Sequence, residues 1–130
     1  PIYQSGLNTD SIITNSLYIT KGVLKFASGM IPDTILYRAF FSPSSYSYSS
    51  AGNDGIVIEW FDSNGLRWTT EGVTADQSGS TFVITNIKTS YVNAYFDVRL
   101  KATFNCKLYN STGQSKTLIN GIYVGSFEAI

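Results

Sequence analysis

A chain of 130 residues is long enough to bury the core of one domain, and a hydrophobic content of 43% places it among globular proteins rather than disordered ones. Nine Lys/Arg balance nine Asp/Glu, so the cation surplus that displaces counterions from nucleic acid is missing, and so is a polybasic membrane contact. With no histidine and one cysteine, the commonest general base and metal ligand is absent and no internal disulfide can form. Charged residues make up only 14%, so Ser, Thr, Asn and Tyr must supply most of the polar surface, while 15% aromatics favour strands. No apolar run approaches the ~18 residues of a membrane-spanning helix. The chain opens on Pro1 without Met, which reads as a processed or trimmed product from which any signal peptide has gone.

Taken in order, Pro1–Asn15 reads as an arm or linker before a domain spanning 16–130, with Ile12-Ile13 able to start a strand. Ser16–Thr20 and Val23–Ala27 alternate, and Lys21-Gly22 between them predicts a tight hairpin. After the turn signal Pro32-Asp33, Thr34–Phe41 reads as a strand with Ile35, Tyr37, Ala39 and Phe41 on one side. Ser42–Gly55, SPSSYSYSSAGNDG, has loop composition and is longer than most loops of compact domains.

Gly55–Glu71 predicts a hairpin with Asp62–Gly65 at its tip. An Asn64-Gly65 type I′ turn would pair Phe61 with Trp68. A three-residue Ser63–Gly65 loop with a left-handed Gly65 instead pairs Trp60 with Trp68 and Ile58 with Thr70. The second is preferred, because it gathers Ile58, Trp60, Leu66 and Trp68 on one face and leaves Glu59, Arg67, Thr69 and Glu71 on the other. Ser80–Ile87 is a further strand, Asn110–Gly113 a turn, Lys116–Ile119 a short strand, Asn120-Gly121 a second turn and Ile122–Ala129 a closing strand.

The strongest periodicity lies in Tyr91–Tyr109, YVNAYFDVRLKATFNCKLY, where every second residue from Val92 to Leu108 is apolar. That alternation gives one dry and one wet face, placing Phe96, Leu100, Phe104 and Cys106 inside. One straight strand of this length would run to about 60 Å at about 3.3 Å per residue. A compact domain of this size is only about 35 Å across. The segment must therefore bend or bulge, and Asp97–Lys101 is the expected place. About eight or nine strands with no substantial helix predict an all-β, single-domain antiparallel β-sandwich, jelly-roll or immunoglobulin-like.

Candidate chemistry is sparse. Glu59, Glu71 and Asp97 are the carboxylates that could pair as a glycosidase uses them, but Arg67 between the two Glu predicts a cross-strand ion pair instead. With no histidine and no Ser-x-x-Lys pattern, nothing points to an activated Ser or Cys nucleophile, so no catalytic residue is assigned. Asn53 and Asp54 suit an oxygen-ligand calcium site, yet Asn-Asp-Gly is the composition of a turn, and neither a metal nor a cofactor is expected. Tyr-Ser composition is what recognition loops use, Tyr for contact area and Ser for adaptable hydrogen bonds. Tyr46 and Tyr48, with Trp68 as a stacking face if its hairpin lies outside, are the candidate ligand contacts.

DGIVIEWFDSNGLRW (Asp54–Trp68), DQSGSTF (Asp76–Phe82) and the closing FNCKLYN (Phe104–Asn110) with TLINGIYVGSF (Thr117–Phe127) resemble uncharacterised small all-β lipoproteins of the Bacteroidetes. The resemblance covers residues 54–127, rests on turn and strand patterns, and brings no catalytic residues with it. It implies export and tethering to the outer membrane or cell surface through a lipidated N-terminal cysteine. No such cysteine stands near Pro1, and the Pro1–Asn15 arm would suit the linker from an anchor. The expected function is a non-catalytic binding or adhesion module for a glycan or a surface protein. The alternatives are a carboxylate-dependent hydrolase of surface glycans and a structural subunit associating through an edge strand.

Overall fold

The computed structural model describes residues 2–7, 15–24, 34–49, 54–72, 75–92 and 95–129. Among these described residues, eight strands and one short helix follow in the order β1 (Tyr3–Leu7), β2 (Ser16–Gly22), α1 (Thr34–Phe40), β3 (Ser44–Ser45), β4 (Gly55–Phe61), β5 (Arg67–Thr69), β6 (Thr81–Val92), β7 (Tyr95–Tyr109) and β8 (Ser115–Ala129). All strand pairings are antiparallel, in the order β3-β6-β7-β5-β4-β2-β1-β8, and β8 pairs additionally with β7. The chain is thus an all-β single domain. Three of its links are thin: β5 meets β7 only at Thr69↔Tyr109, β1 meets β8 only at Tyr3↔Ala129 and Gln4↔Glu128, and β3 meets β6 only at Ser44↔Ile84 and Ser45↔Val83. One core cluster joins Ile19 and Ile58 of β2 and β4 to Phe82, Leu100 and Phe104 of β6 and β7.

The alternation read in the longest segment holds. Val98, Leu100, Ala102, Phe104, Cys106 and Leu108 are buried, while Arg99 and Lys101 are exposed. The side chain of Phe96 lies outside the described residues. The segment is divided by a reversal: Val92 pairs with Tyr95, so Tyr91 and Val92 close β6 and a new strand of 15 residues starts at Tyr95. The bulges fall on the neighbours of β7 instead of at Asp97–Lys101. β6 inserts an extra residue between Ile84 and Asn86, and β8 places Ile119 and Asn120 opposite the single Asn105. Asn120 is left-handed (φ 55°) and its amide donates to Asn105 Oδ1 at 2.9 Å. The expected Asn120-Gly121 turn is therefore a bulge inside one continuous strand. Asn and Gly suit both, because either needs a residue at ease with positive φ.

Three other segments differ from expectation. Tyr3–Leu7 is not an arm: it pairs along its whole length with β2; Ile12-Ile13 lies outside the described residues. Lys21-Gly22 is not a hairpin turn, since β2 runs on through it with Lys21↔Ile56 and Gly22↔Gly55; Val23-Leu24 follow outside any strand, and 25–27 lie outside the described residues. Thr34–Phe41 is not a strand, since Thr34–Phe40 is helical. Its residues satisfied the strand pattern only by having apolar groups on both sides. In the helix, Tyr37, Phe40 and Phe41 share one side at i, i+3 and i+4 and pack on the core, while Ile35, Leu36 and Arg38 face out. Phe41 N–H still donates to Tyr37 at 3.1 Å, Ser42 N–H closes a tighter final turn on Ala39 at 3.3 Å, and Pro43 ends the helix.

The Trp hairpin takes the three-residue loop. Trp60 pairs with Trp68, Gly65 has φ 76°, and Thr70 N–H donates to Ile58 O at 3.0 Å. Asp62 Oδ1 accepts the amides of Asn64 (2.9 Å) and Leu66 (3.0 Å), and Oδ2 accepts Trp68 Nε1–H at 3.0 Å. The indole hydrogen bond, with the two amides, holds the Asp62 carboxyl below the usual carboxylate range. Leu66 does not join the apolar face and is exposed.

Gly121 of β8 stands opposite Phe104, whose ring lies over it, stacked 6.0 Å from Phe82. A Cβ on Gly121 would fall within 2.6 Å of the Phe104 ring tip, inside any van der Waals contact. Truncating Phe104 to Ala is expected to cost about 3–5 kcal/mol. Gly121→Ala should cost about 1–3 kcal/mol through overpacking. In urea unfolding the double variant should then cost less than the sum, because the small side chain at 104 makes room for the methyl group. Strict additivity, or an unchanged stability of Phe104→Ala, would refute this packing.

Candidate functional site

The loop 42–49 is held to the body of the fold at several points. Ser44 and Ser45 pair with Ile84 and Val83, and Tyr46 N–H donates to Phe82 O at 2.9 Å. Ile56 N–H then donates to Ser47 O (3.0 Å) and Ser49 N–H to Ile56 O (2.8 Å), so the loop adds a short parallel bridge beside β4.

The three expected contact residues fare differently. Trp68 is buried at 5% exposure and stacked on Trp60 with ring centroids 6.3 Å apart, so it offers no free face to a sugar. The ammonium of Lys116 lies 4.8 Å from its ring centroid, adding a cation to that closed stack. Tyr48 is a fastener: its hydroxyl lies 3.1 Å from Thr81 O and 3.0 Å from Asn105 O, which it joins as donor. Burial, and then the neighbouring Cys106, push the Tyr48 phenol well above its ordinary value. Cys106 itself is fully buried, and burial raises its thiol to about 11, as befits a small core residue. Tyr46 borders two cavities, one of which Tyr48 also lines. The Tyr46 hydroxyl donates to Ser42 O at 2.6 Å.

One of these cavities, about 320 Å³, lies between Lys21, Phe40, Tyr46, Ser47 and Asp54. Lys21 is its unusual member. In β2 it shares the parity of Leu17 and Ile19 and pairs opposite Ile56, so its side chain leaves the sheet on the core side. It is only 5% exposed. Its Nζ sits 3.6 Å from the centroid of Phe40 and 4.2 Å from that of Tyr46, so two negative ring faces take part of the solvation that burial removed. Desolvation nevertheless lowers the Lys21 amine to about 8 from 10.5, with Asp54 opposing the shift. The helix supplies Phe40, the loop supplies Tyr46, β2 supplies Lys21 and the start of β4 brings Asp54. Reading Lys21-Gly22 as a turn hid this arrangement, although the Leu17–Ile19–Lys21 alternation already pointed the lysine inward.

The carboxylates have simpler surroundings. Glu59 accepts Arg67 Nε–H at 2.6 Å, an exposed cross-strand ion pair of the kind the hairpin register requires. Glu71 accepts from the Ser49 hydroxyl at 3.4 Å, and Asp97 from Ser126 at 3.4 Å. Asn53 lies outside the described residues, and Asp54 faces the lysine cavity. Another depression of about 370 Å³ lies beside Arg67, Glu71 and Tyr109. Two of its polar groups are already engaged, Arg67 by Glu59 and the Tyr109 hydroxyl by Asp76 O at 2.6 Å.

The buried amine has a thermodynamic signature. Unfolded Lys21 keeps its proton to about 10.5, whereas folded Lys21 releases it near 8. Between those values the unfolded chain binds more protons, so this residue adds stability as pH rises. Below about 8 the cost of holding the charged amine is present in full, and above about 10.5 it is gone. Urea unfolding at several pH values should show wild type gaining on Lys21→Met across that window. A difference that does not change with pH would show that the amine is solvated. The chain matches no family model, no curated protein and no solved structure, so the site rests on its own geometry.

Proposed function

We propose that the chain is a non-catalytic binding module whose site is the cavity floored by Lys21 and walled by Phe40 and Tyr46. The supporting observation is the lysine drawn from the core face of β2 into a cavity shared with Asp54 and Ser47. A cavity of about 320 Å³ is at the small end of ligand sites, the size for one sugar unit rather than an extended chain. Its polar groups suit a polyhydroxylated ligand: the ammonium donates, the Asp54 carboxylate accepts, and the Ser47 hydroxyl does both. The aromatic rings hold the ammonium in place from behind. Lys21 and Asp54 together carry no net charge, which favours a terminal sugar of a glycan over a strongly charged ligand. A location at the outer surface, as the family resemblance implies, goes with this reading.

Titration with a panel of monosaccharides and short oligosaccharides, followed by calorimetry, tests it. At least one sugar should bind. Lys21→Met and Asp54→Asn should each weaken that binding by about tenfold or more, the loss of a charged hydrogen bond of ~1.5–3 kcal/mol. Tyr46→Ala should weaken it too, whereas Trp68→Phe should leave it unchanged. Binding that survives Lys21→Met would place the site elsewhere.

A further inference from the structure

Three of the large apolar residues most exposed to solvent lie close together on β8: Ile119 at 69%, Ile122 at 68% and Val124 at 52%. They alternate with the buried Tyr123 and Phe127, so β8 carries apolar residues on both faces. One edge of β8 is taken by β7 from Ser115 to Phe127. Among the described residues no strand pairs with its opposite edge over that span, and β1 reaches β8 only at Glu128 and Ala129. Exposed edges are normally guarded by charges, prolines or bulges. Thr117–Phe127, TLINGIYVGSF, contains neither a charge nor a proline, and beyond the bulge at Asn120 the run Gly121–Phe127 is continuous.

This run is also self-complementary. An antiparallel copy centred on Tyr123 sets Ile122 against Val124 and Val124 against Ile122 on the outer face. It also places Gly121 opposite Gly125, so the strands meet without steric conflict at either glycine. Moving the centre to Ile122 sets Val124 against Asn120 and Ile119 against Gly125, and moving it to Val124 sets Ile122 against Ser126, so either shift forfeits the Ile122–Val124 pairing. The chain has zero formal charge, so two copies meet without net repulsion.

We infer that two copies of this chain associate edge to edge through β8, antiparallel, with the two-fold axis at Tyr123. The sheet of each copy would continue into the other, covering the Ile122–Val124 stripe with its own counterpart. A contact one strand wide falls at the small end of protein interfaces, so the association should be weak and dependent on concentration.

Sedimentation equilibrium over a wide concentration range should show a monomer–dimer equilibrium for the wild type. Ile122→Lys and Val124→Lys, both on the outer face, should weaken it on the order of tenfold or more while circular dichroism stays unchanged. The register has its own test. A mixture of Ile122→Cys and Val124→Cys variants should cross-link under mild oxidation faster than either variant alone, since Cys106 is buried and does not compete. A wild type that stays monomeric at every concentration overturns the inference, whether another segment or another protein occupies the edge. So does a dimer that both lysine variants leave intact. Fastest cross-linking within one variant alone overturns the Tyr123-centred arrangement.

Discussion

Most of this fold depends on the fact that β7 is paired along both edges. β6 runs beside it from Tyr95 to Asn105, β8 from Val98 to Tyr109, and β5 touches its end at Tyr109. A strand so enclosed has its backbone donors and acceptors met by neighbours, so it can place an uninterrupted apolar row against the core. The rows of β6 and β8 must then follow its register, since a slip of one residue would turn buried aromatics outward. The extra residues that curvature requires are accordingly carried by β6 and β8, at Thr85 and at Ile119-Asn120, and not by β7 itself. Phe104 over Gly121 shows how close the coupling is, because the ring fits only where the opposite strand has no side chain.

What was legible in the sequence followed from strict alternation and from turn chemistry. The inward residues of β7 and the register of the Trp60–Trp68 hairpin both rest on patterns that only one face assignment satisfies. Where apolar residues occur on both faces, the pattern stops discriminating. TILYRAF has β-branched and aromatic residues that favour a strand, but a helix lets Tyr37, Phe40 and Phe41 reach the core together, and packing overrides that local preference. Asn120-Gly121 shows a different ambiguity, because a turn and a bulge ask for the same left-handed residue. The role of Lys21 was hidden for a third reason. A lysine followed by glycine looks like punctuation, and only the pairing with β4 reveals that the strand continues through it.

The candidate site sits where the sheet is least regular. Helix α1 and the loop after it cover the end of β2 and the beginning of β4, and the loop is fastened by Tyr46 to Ser42 and by Tyr48 to Thr81 and Asn105. Beside these fixed tyrosines lies an opening lined by a cation, a carboxylate and a hydroxyl. The expected division of labour among the Tyr-Ser loop residues is thereby redrawn: Tyr48 is a tie and Tyr46 a wall.

Where β5 and β7 meet, one backbone pairing is supplemented by a side chain. The Gln77 carboxamide donates to Lys107 O at 2.6 Å and to Thr70 O at 3.1 Å, and its oxygen accepts from Lys107 N–H at 3.1 Å and from the Ser80 hydroxyl at 2.8 Å. It thus presents to Lys107 the same donor and acceptor that a neighbouring peptide would. A side-chain amide can rotate away without unwinding a strand, which a peptide group cannot. The sheet therefore has a latch at this seam: turning Gln77 frees the Lys107 amide to exchange its hydrogen while the amides of β6 and β8 remain protected. Local breathing of the domain would begin there, at the end of β7 that β5 reaches.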